Sequence, residues 1–200
     1  MNTSDHAGRL RIVKVGGSLL RLSDCGARLR CWRQAQSPAQ ELWLAGGGEA
    51  VDVVRGWDRR FQLGDAAAYS LTLAALRLTA PLLRIVAGLA EEQVLSLDEE
   101  LARFPPNWHD RYRLSSWEAT SDTLAALIAR ARHADELVLL KACPIPTAVH
   151  TDLPALARLA LVDPLFPEAA RGIPGIRIES PPTPPFPEGL RKEICDDGER

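Results

Sequence analysis

Leu10-Arg11-Ile12-Val13-Lys14-Val15-Gly16-Gly17-Ser18 reads as a strand running into a glycine turn. Apolar and basic residues alternate from Leu10 to Val15, the period of a strand, and the glycines then end it in a tight turn. A helix is expected from Ser18 to Gln34. The layout recurs in the next stretch. Leu42-Trp43-Leu44-Ala45 reads as a second strand, Gly46-Gly47-Gly48 as its turn, and Val51, Val54, Trp57 and Phe61 as the apolar face of a following helix. Strands alternating with helices need crossover connections. The expected fold is therefore α/β: a three-layer α/β/α sandwich around a mainly parallel central sheet.

The rest of the chain extends this pattern. Asp65 to Thr79 is a helical stretch stopped by Pro81, with Leu82 to Ala87 expected as the next strand. Asp98 to Phe104 reads as a short helix. Ser115 to Asp122 leads into a helix whose apolar face is Leu124, Leu127, Ile128 and Ala131; Thr120, Ser121 and Asp122 are all N-cap residue types. Leu137 to Leu140 is a short buried strand, followed by a loop forced by Pro144 and Pro146. A helix over Asp152 to Leu161 and an edge strand over Ile176 to Ile178 complete the reading. Five of the fifteen prolines fall between Pro181 and Pro187. Residues 1–180 thus read as one domain and 181–200 as a proline-rich, mobile tail.

The 200 residues are 46% apolar and 25% charged, enough apolar material for a real core. Twenty-four basic and 26 acidic side chains leave a net charge of −2, so no global positive field draws in nucleic acid or an anionic membrane. Neither is expected as a partner. No apolar run approaches the roughly 20 residues that cross a bilayer, and Met1 to Gly8 lacks the features of a secretory signal. The cytoplasm is the expected location. Cys25, Cys31, Cys143 and Cys195 form no CxxC pair, and their spacing with His6, His109, His133 and His150 favours no metal site.

Chemistry concentrates at the two glycine turns. Without side chains, Gly16-Gly17 and Gly46-Gly47-Gly48 let backbone N–H groups approach an anion, and each following helix offers its positive N-terminus. Two such turns side by side can hold two phosphates; taken singly, each is explained as a tight strand-to-helix corner. Neither matches GxGxxG or GxxxxGK[ST], which argues against a dinucleotide site or a Walker P-loop. Lys14 sits near the C-terminal end of a strand, where open α/β sheets bind ligands, and must reach solvent or find an anion. Asp122 is its natural internal partner, with an N-cap role as the alternative. Trp43 and Trp57 read as core residues. Trp108 and Trp117 flank the loop before Asp122, as loop anchors or as the floor for an aromatic ligand. Arg55, Arg59 and Arg60 form a basic patch, either a solvated face or a phosphate clamp.

These residues resemble the amino-acid kinase superfamily, which includes acetylglutamate, carbamate, aspartate and uridylate kinases. The resemblance rests on Lys14-Val-Gly-Gly-Ser18, Gly46-Gly47-Gly48 and Thr120-Ser121-Asp122-Thr-Leu-Ala-Ala. The Ser-Trp-x-x-Thr-Ser-Asp pattern at 116–122, Leu137-Val-Leu-Leu-Lys141 and Val162-Asp-Pro-Leu-Phe-Pro167 are most similar to the short branch containing (aminomethyl)furanmethanol phosphate kinase, of methanofuran biosynthesis. The resemblance spans Leu10 to Pro167.

It implies in-line transfer of the ATP γ-phosphoryl group, with Mg2+ accompanying the nucleotide, to an acceptor carboxylate, carbamate or phosphate. A small phosphorylated acceptor, a phosphate monoester, is the preferred expectation here. Gly16, Gly17 and Ser18 would contact the moving phosphoryl group and Gly46, Gly47 and Gly48 the acceptor. Lys14 would neutralise developing charge, Asp122 would orient Lys14, and Thr120, Ser121 and Lys141 would lie on the nucleotide side. Two departures stand out. Ala142-Cys143-Pro144 replaces the Asp-Gly pair that relatives often carry after this strand, and no second lysine with a glycine turn follows in the C-terminal part. Three readings stay open: a phosphate monoester kinase, a nucleoside monophosphate or carboxylate kinase, and a ligand-binding protein without turnover. Whether the chain forms a homo-oligomer is also open.

Overall fold

The computed structural model describes residues 8–146 and 152–184. Among these, strands β1 (Leu10–Val15), β2 (Gln40–Ala45), β3 (Glu136–Leu140) and β4 (Gly175–Glu179) pair in parallel in the order β2-β1-β3-β4. All of β3, and all of β1 except Leu10, are buried, as expected of strands covered on both faces. The chain leaves β1 for β2 on one side and returns across β1 to β3 on the other. Strand order therefore reverses between β1 and β3, the point where open parallel sheets form a crevice beyond their carboxyl ends.

The pleat divides the core in two. On one face Ile12, Leu42, Leu44, Leu137 and Leu139 pack under α7 (Ser121–Ala131), with α5 (Leu97–Ala102), α8 (Leu153–Arg158) and α9 (Phe166–Ala169) around it. On the other, Val13, Val15, Trp43, Ala45, Val138 and Leu140 meet α1 (Gly17–Leu20) and α2 (Cys25–Gln34). The expected α/β layering and the core position of Trp43 are observed. The remaining α-helices among the described residues are α3 (Gly48–Phe61), α4 (Asp65–Ala87) and α6 (Trp108–Arg111), with one 3-10 turn at Glu91–Gln93.

Three expectations need correction. Leu82 to Ala87 is no strand: α4 runs on through Pro81. Its buried residues Ala75, Leu76, Thr79, Leu83 and Ala87 keep helical spacing across the exposed proline. Burial of that continuous stripe outweighs the roughly 3 kcal/mol an internal proline costs. The helix stops instead at Gly88, in a left-handed conformation at φ +64°. Its 23 residues make one helix long and apolar enough, by length and composition, to cross a membrane. In this fold Leu76 joins one core, and Leu83 and Ala87 join the other.

The helix expected over Ser18–Gln34 is two helices, α1 and α2, separated at Arg21–Asp24. Ser23 and Asp24 favour caps and turns over helix interiors. Trp57 and Phe61 are 44% and 62% exposed, because α3 packs on α4 and α1 through Val51 and Val54 and its last turns run beyond that contact. His6, His150, Cys195 and the tail beyond residue 184 lie outside the described residues.

The glycine turns lie against each other. A Cβ on Gly17 would sit 2.3 Å from the backbone nitrogen of Gly48, and Gly48 itself holds φ +51°. The absence of side chains is thus required by backbone packing between the turns, before any ligand is considered. Gly56, inside α3, faces open space: a Cβ there would meet nothing within 4 Å. Gly17→Ala is therefore expected to destabilise the protein by about 3 kcal/mol through overpacking, and Gly56→Ala to stabilise it by about 1 kcal/mol through helix propensity. Urea unfolding of the two variants checks both signs.

Candidate active site

Strand parity brings the lysines together. Lys14 lies two residues after Ile12, so it points to the face covered by α7; Lys141 lies two residues after Leu139 and points the same way. Lys14 is opposite Leu139 in the β1–β3 register, which places Lys141 one pleat further along the neighbouring strand. Asp122, in the first turn of α7, sits between them. Its Oδ1 accepts from Lys14 Nζ at 2.7 Å and its Oδ2 from Lys141 Nζ at 2.6 Å. Lys14 and Asp122 are buried, and Lys141 nearly so.

Burial alone would raise the pKa of Asp122, yet the two ammonium groups hold it down at about 2. Lys141 is pushed down by burial and then by the Lys14 charge, with Asp122 opposing both. Two lysines over one carboxylate leave one formal positive charge, which Asp163, close enough to act on Lys141, opposes. Lys14 and Asp122 are buried, and none of Lys14, Asp122 and Lys141 lines the adjacent pocket.

Asp122 does not cap its helix. That task falls to Asp163, which accepts from Thr120 N at 3.0 Å, Thr120 Oγ1 at 2.9 Å and Thr123 N at 2.9 Å, and also from Thr123 Oγ1. Burial, then the charge of Asp122, pushes the Asp163 pKa up, against the pull of the Thr123 and Thr120 hydrogen bonds. With its N-terminus satisfied from elsewhere, α7 leaves the Asp122 carboxylate free for both lysines.

Beside this cluster lies a pocket of about 270 Å3 between the glycine turns, α3, α4 and the 114–121 loop. Gly17, Ser18, Gly47, Gly48, Thr120 and Ser121 line it. Thr120 and Ser121, expected on the nucleotide side, thus share a wall with the acceptor turn. Gly16 and Gly46 do not line the pocket: their Cβ positions would meet Leu140 O at 2.8 Å and Gly17 N at 2.7 Å. N–H groups in the first turn of a helix have no intrahelical acceptor, so Gly17, Ser18 and Gly48 are placed to donate to a ligand.

Arg21 and Arg55 also line the pocket and share the Asp52 carboxylate, again two cations on one anion. Of the basic patch, only Arg55 belongs here. Trp117 forms part of the wall: its Nε1 donates to Asp58 Oδ2 at 2.8 Å, and the Arg55 guanidinium lies over its ring. Trp108 lies elsewhere, packed on Phe104 and Tyr112.

Two further lining residues, Tyr69 and Thr72 on α4, escaped the sequence reading because an alanine- and leucine-rich helix gives no chemical signal. Their hydroxyl oxygens are buried, with no hydrogen-bond partner among the described residues.

No protein-family model and no curated protein matches the sequence. Solved structures do match. Uridylate kinase from Archaeoglobus fulgidus aligns with a TM-score of 0.52 at 17% identity, over 94% of this chain and 95% of that one. Aspartate kinase from Synechocystis aligns with a TM-score of 0.53 at 15% identity, over 88% of this chain and 40% of the longer enzyme. The chain has the amino-acid kinase fold. At these identities the likeness is one of fold, and the chemistry rests on the residues above.

Replacing Asp122 by Asn removes the counter-charge from two buried ammonium groups. A loss of about 3–5 kcal/mol is expected, the usual cost of an unpaired buried charge. Because its folded pKa lies below the ordinary aspartate value of 3.8, the Asp122 contribution is complete above about pH 4 and is lost as the pH falls through about 2. Urea unfolding of both proteins across that range should show the stability gap closing on acidification.

Proposed function

We propose that this protein is an ATP-dependent phosphotransferase whose acceptor is a phosphate monoester. The observation carrying this reading is the Lys14–Asp122–Lys141 bridge beside paired glycine turns, at the carboxyl ends of β1 and β3. Phosphoryl transfer requires positioning and electrostatic stabilisation more than covalent chemistry from the protein. Preorganised cations in a water-poor site provide the second.

In the proposed reaction an oxygen of the acceptor phosphate attacks the γ-phosphorus of ATP in line. The new P–O bond forms as the bond to the β,γ-bridging oxygen breaks, and that electron pair leaves with ADP. The products are ADP and a diphosphate ester. Lys14 and Lys141 neutralise charge on the moving group, and Asp122 fixes both ammonium positions before substrate arrives. The N–H groups of Gly17 and Ser18 face the transferring phosphoryl group. Gly47, Gly48, Arg21 and Arg55 hold the acceptor phosphate, where two arginines over one aspartate leave positive charge to spare.

Among the described residues no three His, Cys, Asp or Glu side chains gather as metal ligands. Asp122 and Asp163 are already engaged by lysines and threonines. Mg2+ is therefore assigned to the nucleotide phosphates, its common mode of binding, where it would shield the γ-phosphoryl charge. The resemblance to the furanmethanol phosphate kinase branch suggests a furan methyl phosphate as acceptor. Trp117 with Leu73 and Leu76 in the pocket wall supports a single flat ring over a sugar.

Lys14→Met keeps the bulk of the buried side chain and removes its charge. It is expected to lower kcat for ADP formation from ATP and furan-2-ylmethyl phosphate by about 10²–10³, typical for loss of one such electrostatic contact. Wild-type kcat in a folded variant would remove Lys14 from the reaction. Acceptor binding without ADP formation by the wild type would support the ligand-binding protein instead.

A further inference from the structure

Tyr69 and Thr72 are one turn apart on α4 and share a helix face. Both line the pocket, among the apolar side chains of Val51, Leu73, Leu76 and Leu124. Their hydroxyl oxygens are shielded from solvent, with no partner among the described residues. Burial raises the Tyr69 pKa, so its phenol is neutral at physiological pH and can donate or accept a hydrogen bond.

Buried hydroxyls are almost always paired in folded proteins, and a specific exception calls for a reason. Packing supplies none here. Phe and Val would fill the same volumes without the desolvation penalty of an orphaned hydroxyl. Charge supplies none either, because the cations of this pocket, Arg21 and Arg55, come from α1–α2 and α3 and already share Asp52.

We infer that Tyr69 and Thr72 set acceptor specificity. They select a molecule that carries, away from its phosphate, a neutral or donor group able to hydrogen-bond with these hydroxyls. This rests on the reading of the pocket as the acceptor site. The ligand class is thus an apolar ring with two polar ends: an anionic one for the arginines and glycine turns, and a hydrogen-bonding one for α4. Sites built this way discriminate strongly against analogues lacking the polar group, since the protein hydroxyls are then left unpaired in the complex.

The test is calorimetric binding of two probes, furan-2-ylmethyl phosphate and its 5-hydroxymethyl derivative, to the wild type and to Tyr69→Phe/Thr72→Val. The wild type is expected to prefer the hydroxymethyl probe by at least about tenfold, one hydrogen bond's worth, and the double variant to bring that ratio close to one. Thermal unfolding without ligand should show the variant as stable as the wild type or more so, whereas structural hydroxyls would make it less stable. Equal affinity for the two probes, no affinity for either, or an unchanged preference in the variant overturns the inference. ADP formation is scored separately. A lost preference in a protein that makes no diphosphate upholds the hydroxyl assignment and refutes the kinase; diphosphate formation without any preference does the reverse.

Discussion

One buried carboxylate organises this molecule. Asp122 lies between Lys14 and Lys141, with an ammonium nitrogen on each oxygen. Neither lysine could be buried at the end of a parallel sheet without an anion. The carboxylate in turn stays ionised, well below the usual aspartate range, because both cations are present. The same contact fastens the first turn of α7 to β1 and to the residue that follows β3. Fold and candidate site therefore share a single electrostatic joint, which lies at the carboxyl ends of the strands where their order reverses.

Around that joint the backbone arrangement follows from close approach. The two glycine turns pack main chain on main chain, which excludes side chains at Gly17 and Gly46. The outcome is a pocket wall made largely of peptide groups, bounded by arginines that share one aspartate and by a tryptophan tied to α3. Asp163 completes the frame from 40 residues away, satisfying the start of α7 so that Asp122 is not needed there.

Much of this was legible in the sequence, for reasons that can be named. Leu10–Val15 marks Lys14 as a lysine near the end of an otherwise apolar strand, which must reach solvent or find an anion. Asp122, at the start of an apolar helix, was its natural partner, and the structure decides for that pairing over the N-cap alternative. Lys141 was expected on the nucleotide side from the family resemblance alone; that it shares Asp122 with Lys14 is visible only in the fold. What stayed hidden depends on contacts between distant segments. Pro81 reads locally as a stop, and only the buried stripe of α4 reveals that the helix continues. The role of Asp163 and the orphaned hydroxyls of Tyr69 and Thr72 have no local signature, because each is defined by what it faces across the fold. Trp57 and Phe61 show the opposite failure: an apolar helical period holds, but the helix extends beyond the surface that would cover it.

On the proposed reading the Lys14–Asp122–Lys141 cluster serves transfer of a phosphoryl group between two phosphates. Phosphorus NMR of the protein with magnesium, ATP and furan-2-ylmethyl phosphate tests it most directly. A pair of coupled diphosphate ester resonances growing as the γ-phosphorus signal of ATP declines, with ADP appearing in equal amount, is the predicted result. An ATP spectrum unchanged over hours, or loss of the γ signal only into inorganic phosphate, would contradict it.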